Sequence, residues 1–283
     1  MATDGANQVA GLSPMARLVA QPRYELIPVS GVENEFSALL PGSTVTVTAS
    51  PHHGMKRTLE VSERLAALGY SVVPHLAARM VAGPSHLEEI IERLGAAQIR
   101  DAFVIGGDAA PATGSFRDAA GLLEALASLP HSLLRIGVAG YPEGHPLISA
   151  AGLLDALQRE QPRADYVVTQ ICFDAEALVG WVATIREAGI GLPLVVGLPG
   201  VVERRRLAEV SLRAGVGASM RYLARHGRQL ATLARSRRYD PTPLAVAIAA
   251  HLDDPEVLIE GVHLFTFNRI EATQAWVSRM AST

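Results

Sequence analysis

The chain has 283 residues, 49% of them hydrophobic, and a formal net charge of −3. That is apolar material for one large α/β core, and the balanced charge gives no basic field to hold a nucleic acid or an anionic membrane surface. Cys172 is the sole cysteine, which excludes an intrachain disulfide and a cysteine-built metal centre and fits a reducing cytoplasm.

Residues 1–22 mix polar groups with Gly5, Gly11, Pro14 and Pro22, so they read as a tail or covering segment with no signal-peptide core; residues 23–283 read as one catalytic domain. No stretch is long and apolar enough to span a membrane. Strands begin at Tyr24-Glu-Leu-Ile-Pro28, where Glu25 is an acid inside an apolar run and must be paired, neutral or functional. Thr44 to Ala49 alternates threonine with valine as a second strand. A helix over about 55–68 follows, with Leu59, Leu65 and Leu68 on its apolar face. Ser71 to Leu76 is a third strand with His75 at its end. The next helix is marked by Ser85 and Glu88 as a capping box, by Leu87, Ile90, Ile91 and Leu94 at helical spacing, and by Gly95 as its stop.

The fourth strand, Phe103-Val-Ile105, runs into Gly106-Gly107-Asp108. The glycines permit a sharp turn or a close approach to a ligand, and Asp108 stands at the strand's carboxyl end. Taken alone, Asp108 is equally well explained as a cap of the next helix or turn. A helix over 117–129 leads to a fifth strand, Leu134 to Ala139, and to the polar mouth Tyr141-Pro-Glu-Gly-His-Pro146. Beyond a helix over 147–158, Gln170 interrupts the apolar strand Tyr166 to Asp174. A helix over 175–188, a seventh strand from Leu192 to Pro199, a long helical stretch over 202–252, an eighth strand from Gly261 to Asn268 and a closing helix through Trp276 complete the chain.

Eight strands alternating with helices predict an α/β fold, a single-domain (β/α)8 TIM barrel with extra helices between strands seven and eight. In such a barrel all strand ends share one rim. Thr48, His75, Asp108, Tyr141, His145, Gln170 and Asn268 then converge, and Glu25 reaches the same space. Two carboxylates among hydrogen-bonding groups suit recognition of a polar heterocycle with acid chemistry beside it. Glu25 reads as the proton donor, because apolar strand neighbours favour the neutral carboxyl; Asp108, on its glycine turn, reads as the ionised group that stabilises a developing cation.

Other chemistries have little support. His52 and His53 are adjacent and point apart, the first strand holds no His-x-His, and no metal site is expected. Neither Gly-x-Ser-x-Gly nor a complete Gly-x-Gly-x-x-Gly occurs. The clusters Arg204-Arg205-Arg206 and Arg235-Ser-Arg237-Arg238 either grip a phosphate or form a solvated helix face, the commoner use. His263, alternating within the last strand, reads as structural, and Met80, Met220 and Trp181 as packing.

With these motifs in order, the chain resembles the methylenetetrahydrofolate reductase family, flavin-dependent (β/α)8 enzymes of one-carbon metabolism and methionine biosynthesis. The signposts are Tyr-Glu-Leu-Ile-Pro around Glu25, Thr-Val-Thr at Thr46 to Thr48, Pro-His-Leu around His75, Gly-Gly-Asp at Asp108, Tyr-Pro-Glu-Gly-His-Pro from Tyr141, Thr-Gln-Ile-Cys-Phe-Asp around Gln170, and His-Leu-Phe-Thr-Phe-Asn-Arg ending at Arg269. The resemblance implies an oxidoreductase that interconverts methylenetetrahydrofolate and methyltetrahydrofolate through FAD, with NADH or NADPH as electron donor and either direction open. It assigns Glu25 to opening the folate ring to an iminium ion, Asp108 to stabilising that cation beside pterin and flavin, and Gln170 and Arg269 to the folate. Thr48, His75, Gly107, Asp108, Tyr141, His145 and Arg159 fall at flavin-contacting positions. The departures are Gly106 where the family has an arginine, Ala156-Leu157-Gln158-Arg159 where it has Leu-Lys-x-Lys, and Ala224 where better-studied bacterial members have a stacking phenylalanine. They motivate an alternative of another class, a folate-binding or regulatory barrel with weakened flavin binding. A cytoplasmic protein with a folate substrate and no nucleic-acid or membrane partner is expected, with homo-oligomer formation left open.

Overall fold

Short runs rich in valine, threonine and glycine, each followed by a helix with one apolar stripe, bury both kinds of surface when parallel strands form an inner wall and helices cover it. The protein does this in a computed structural model that describes residues 11–203, 205, 207 and 238–283. Strands β1 (Arg23–Leu26), β2 (Thr44–Val47), β3 (Ser71–Ala77), β4 (Asp101–Ile105), β5 (Arg135–Gly140), β6 (Tyr166–Thr169), β7 (Leu194–Pro199) and β8 (Ile259–Phe265) pair in sequence order into a closed barrel. Closure is made by the parallel pairs Arg23 with His263 and Tyr24 with Leu264.

Outside lie α1 (Pro14–Leu18), α2 (Gly54–Ala67), α3 (Pro84–Ala96), α4 (Ala119–Ala127), α5 (Ala150–Glu160), α6 (Ala175–Glu187), α7 (Thr242–Ala249) and α8 (Ile270–Ala281). The expected stripe of α3, Leu87, Ile90, Ile91 and Leu94, is buried against the barrel wall. Inside the barrel, Val73, Phe103, Tyr166, Val168 and Val195 form a separate apolar layer that closes the interior below the rim.

Two local expectations are corrected. The capping box of α3 does not form: the cap is Gly83, Pro84 takes the first helical position and Ser85 makes no capping bond. Proline's fixed φ starts the helix one residue earlier, where a serine cap cannot act, and the Nδ1 of His86 accepts the Ala82 amide instead, at 3.0 Å. Leu68 is 63% exposed, because α2 ends at Ala67 and Gly69 turns the chain away at φ +86°. Within the segment read as a tail or covering segment, α1 is capped by Ser13, whose hydroxyl accepts the Ala16 amide at 3.1 Å, and its Leu18 and the following Val19 are buried in the main core. Of the extra helices expected before β8, α7 is seen. The stretch 208–237, with Met220, Ala224, Arg235 and Arg237, lies outside the described residues, as do Arg204 and Arg206. Among the described residues no helix is long and apolar enough to cross a membrane.

Candidate active site

At the carboxyl ends of the strands a cavity of about 310 Å³ is lined by Glu25, Thr48, His75, Gly107, Asp108, Tyr141, His145 and Gln170, together with His263 and Phe265. Seven of the eight expected rim residues therefore meet around one space, with Gly107 beside them. Past β1, Asn268 extends the strand: its Oδ1 accepts the Ile27 amide at 2.8 Å and its Nδ2 donates to the Ile27 carbonyl at 2.9 Å. The Thr266 hydroxyl donates to the Glu25 carbonyl at 2.5 Å, so the acid sits on a backbone pinned from β8. Asn268 is thus a clasp beneath the rim and does not line the cavity.

Asp108 is placed by its glycine. Gly107 has φ +84°, and a Cβ there would stand 2.8 Å from the Ala77 Cβ, so both conformation and space require glycine. Arg79, beyond β3, anchors the same loop by donating from Nε to the Ala109 carbonyl at 2.7 Å. The Asp108 carboxylate makes no hydrogen bond to another described residue and is exposed to the cavity mouth. Gln170 uses its Oε1 to accept the Ile171 amide at 2.8 Å, which leaves the Nε2 for the cavity. Tyr141 and His145 meet edge to face with centroids 5.3 Å apart. Burial first, then the charges of Glu160 and Asp108, push the Tyr141 hydroxyl up to about 12, so it remains a hydrogen-bond donor at neutral pH.

Below this ring the structure brings in groups that sequence reasoning missed. His263 is fully buried, and its Nε2 lies 3.2 Å from the Glu25 Oε2. Read from the sequence as a structural residue of β8, it also lines the cavity. Alternation points it inward, but its neighbour depends on how the first and last strands close. The usable signal was that Glu25 and His263 both occupy inward positions on the two strands a barrel must join. His75 is buried beside them with its ring 6.2 Å from that of His263, and burial, reinforced by His263, holds it well below the ordinary imidazole value and hence neutral. Thr46 Oγ1, His75 Nε2 and His263 Nδ1 are buried without a hydrogen-bond partner among the described residues. Glu25, His75 and His263 each place a ligand atom within 4.8 Å of the others.

Arg159 and Arg269 do not line the cavity. The former, on α5, is engaged by Asp118 and Asp155 at 3.2 Å each, and the latter is exposed at the start of α8. Among the described residues the lining contains no arginine or lysine, and a side chain at Gly106 would enter open space. The described lining therefore offers hydrogen-bonding groups for the polar edge of a heterocyclic ring, and no side-chain cation for a diphosphate.

A closed parallel barrel whose rim joins a buried acid, an exposed carboxylate and an amide around one cavity is a candidate ligand site at the end where barrel enzymes place theirs. The sequence profile of the methylenetetrahydrofolate reductase family matches residues 36–281, and the chain belongs to that family. It is 32% identical over 92 residues to methylenetetrahydrofolate reductase 2 of Saccharomyces cerevisiae, a match covering 31% of this chain and 15% of the yeast protein. Methylenetetrahydrofolate reductase 1 of Schizosaccharomyces pombe is 34% identical over 85 residues, covering 29% of this chain and 14% of that protein. The chain thus matches only a small part of the length of these curated relatives.

Proposed function

We propose that this protein interconverts methylenetetrahydrofolate and methyltetrahydrofolate. The observation that carries the reading is the meeting of Glu25, Asp108 and Gln170 around one cavity in a chain of this family. The substrate carries a carbon bridged between two nitrogens. Glu25 donates a proton to one nitrogen, that carbon–nitrogen bond breaks, and the carbon is left as an iminium on the other. Asp108 faces this cation with an exposed carboxylate and lowers its energy as it forms. The Gln170 Nε2 donates to the pterin and fixes its plane. The iminium carbon needs a hydride to become the methyl group, and the flavin or nicotinamide that the family implies would supply it when bound. Thr48, His75, Gly107, Tyr141 and His145 are the residues that would contact its ring, with Arg269 toward the folate and Arg159 toward a phosphate once released from Asp118 and Asp155.

The missing cation in the described lining favours a second reading, a folate-binding or regulatory barrel without a resident flavin. The visible spectrum of the purified protein and an assay of methyltetrahydrofolate oxidation with an artificial acceptor separate the two. Turnover supports the enzyme. A colourless protein that binds folate by calorimetry and stays inactive with added FAD or NADH supports the binding barrel, and absence of both folate binding and turnover removes both readings.

A further inference from the structure

We infer that His263 is the positioning residue of the proton donor: its Nε2–H holds Oε2 of Glu25 and so keeps the transferable proton on Oε1. The inference rests on the folate reading above. Both side chains are buried, at 0% for His263 and 6% for Glu25, and they meet at 3.2 Å. A carboxyl has two oxygens, and a donor is effective only when the protonated one faces the substrate. His263 is the only described side chain hydrogen-bonded to the Glu25 carboxyl, so it decides which oxygen stays available.

The surroundings agree with this assignment. The titratable group beside the pair is His75 on β3, kept neutral by burial and by His263. Arg23, the register partner of His263 on β1, is taken by Tyr166 at 2.7 Å and Asp101 at 3.3 Å and does not compete for Glu25. Below, the apolar layer of Val73, Phe103, Tyr166, Val168 and Val195 closes the barrel, so Glu25 exchanges its proton through the cavity and not through the floor. When Glu25 gives its proton to a substrate nitrogen, the carboxylate formed keeps the Nε2–H donor already in place, and no group has to move. In this tautomer the His263 Nδ1 is an acceptor, the atom seen without a protein partner.

The test compares His263→Ala and His263→Gln with wild type, reading kcat and KM for the folate and kcat against pH. The glutamine amide can present an N–H near the position of Nε2. Expected for His263→Ala is a fall in kcat of about tenfold to a hundredfold with the folate KM little changed, and an alkaline limb of the kcat profile moved to higher pH. His263→Gln should recover most of the rate and the wild-type profile. A purely structural role predicts instead a lower melting temperature with the profile of the remaining activity unmoved, and that result, or equal loss in both variants, overturns the inference. Wild type without folate turnover removes the functional reading and this inference together, whereas an active wild type matched by His263→Ala removes the inference alone.

Discussion

The two ends of the barrel contain similar residues arranged in opposite ways. At the amino-terminal end, Arg23 donates to the Tyr166 hydroxyl at 2.7 Å, Tyr166 donates to Asp101 at 2.6 Å, and Arg135 pairs with Glu260 at 2.7 Å. Both guanidiniums stack on the Tyr166 ring, at 4.3 and 4.7 Å. Every charge there has its partner, and burial drives the Asp101 carboxyl and the Tyr166 hydroxyl upward. At the rim, Asp108 has no hydrogen-bond partner among the described residues, and three buried polar atoms beneath it have none. The amino-terminal cavity is the larger, about 430 Å³ against about 310 Å³. Volume therefore does not identify the site. A completed polar network leaves no donor or acceptor for a ligand, while buried polar groups left open at a cavity are candidates for one.

The strongest way to break this comparison is to change one acid at each end. Glu25→Gln keeps shape and hydrogen bonding but removes the proton, so folate turnover should fall by about two to four orders of magnitude while the melting temperature stays near wild type. Steady-state rates beside calorimetry check this; a variant retaining more than a tenth of the rate sinks the donor assignment. Arg23→Ala should do the reverse. It removes one partner of the buried Asp101, which keeps the Tyr166 hydroxyl, at a cost of about 1–3 kcal/mol, yet leaves kcat of the folded protein unchanged. Denaturant titration with activity measured at low temperature decides it, and a loss of kcat without loss of stability would show that the two ends are coupled. Gly107→Ala lies between these extremes. A positive φ and a contact with Ala77 predict a loss of about 2 kcal/mol, together with a displaced Asp108 and a reduced kcat.

How far each end could be read from the sequence follows from the same contrast. Glu25, Asp108 and Gln170 announce themselves because a polar residue at the end of an apolar strand is a local anomaly. The barrel was legible because strands and helices alternate eight times. His263 and Thr46 were not, since an inward-facing residue on one strand gains its meaning from a neighbour on another, and Glu25 and His263 stand 238 positions apart. Asn268 misled in the opposite sense: at a strand end it resembles a site residue, yet both ends of its amide are consumed by the Ile27 backbone. The Ser85 and Glu88 pattern failed for a smaller reason, the proline beside it.

The smallest effect comes from a carboxyl that lines neither cavity. Glu160 closes α5, is 7% exposed, and is driven up to about 7 by burial first and by Asp118 second, with Arg159 opposing. Arg159 cannot neutralise it fully because that guanidinium serves Asp118 and Asp155. The folded value lies above the unfolded one of 4.5, so the folded state holds the proton more tightly. This contribution to stability is complete below about pH 4.5 and is lost as pH rises through about 7. Across that window the protein should lose on the order of 2 kcal/mol from this group, and Glu160→Gln should flatten that part of the curve. Chemical denaturation at pH 5, 6, 7 and 8 reads the difference directly. Equal slopes in wild type and variant would place the titration elsewhere, whereas a flattened slope with unchanged kcat would add a third class of buried polar group, one that is neither paired nor used.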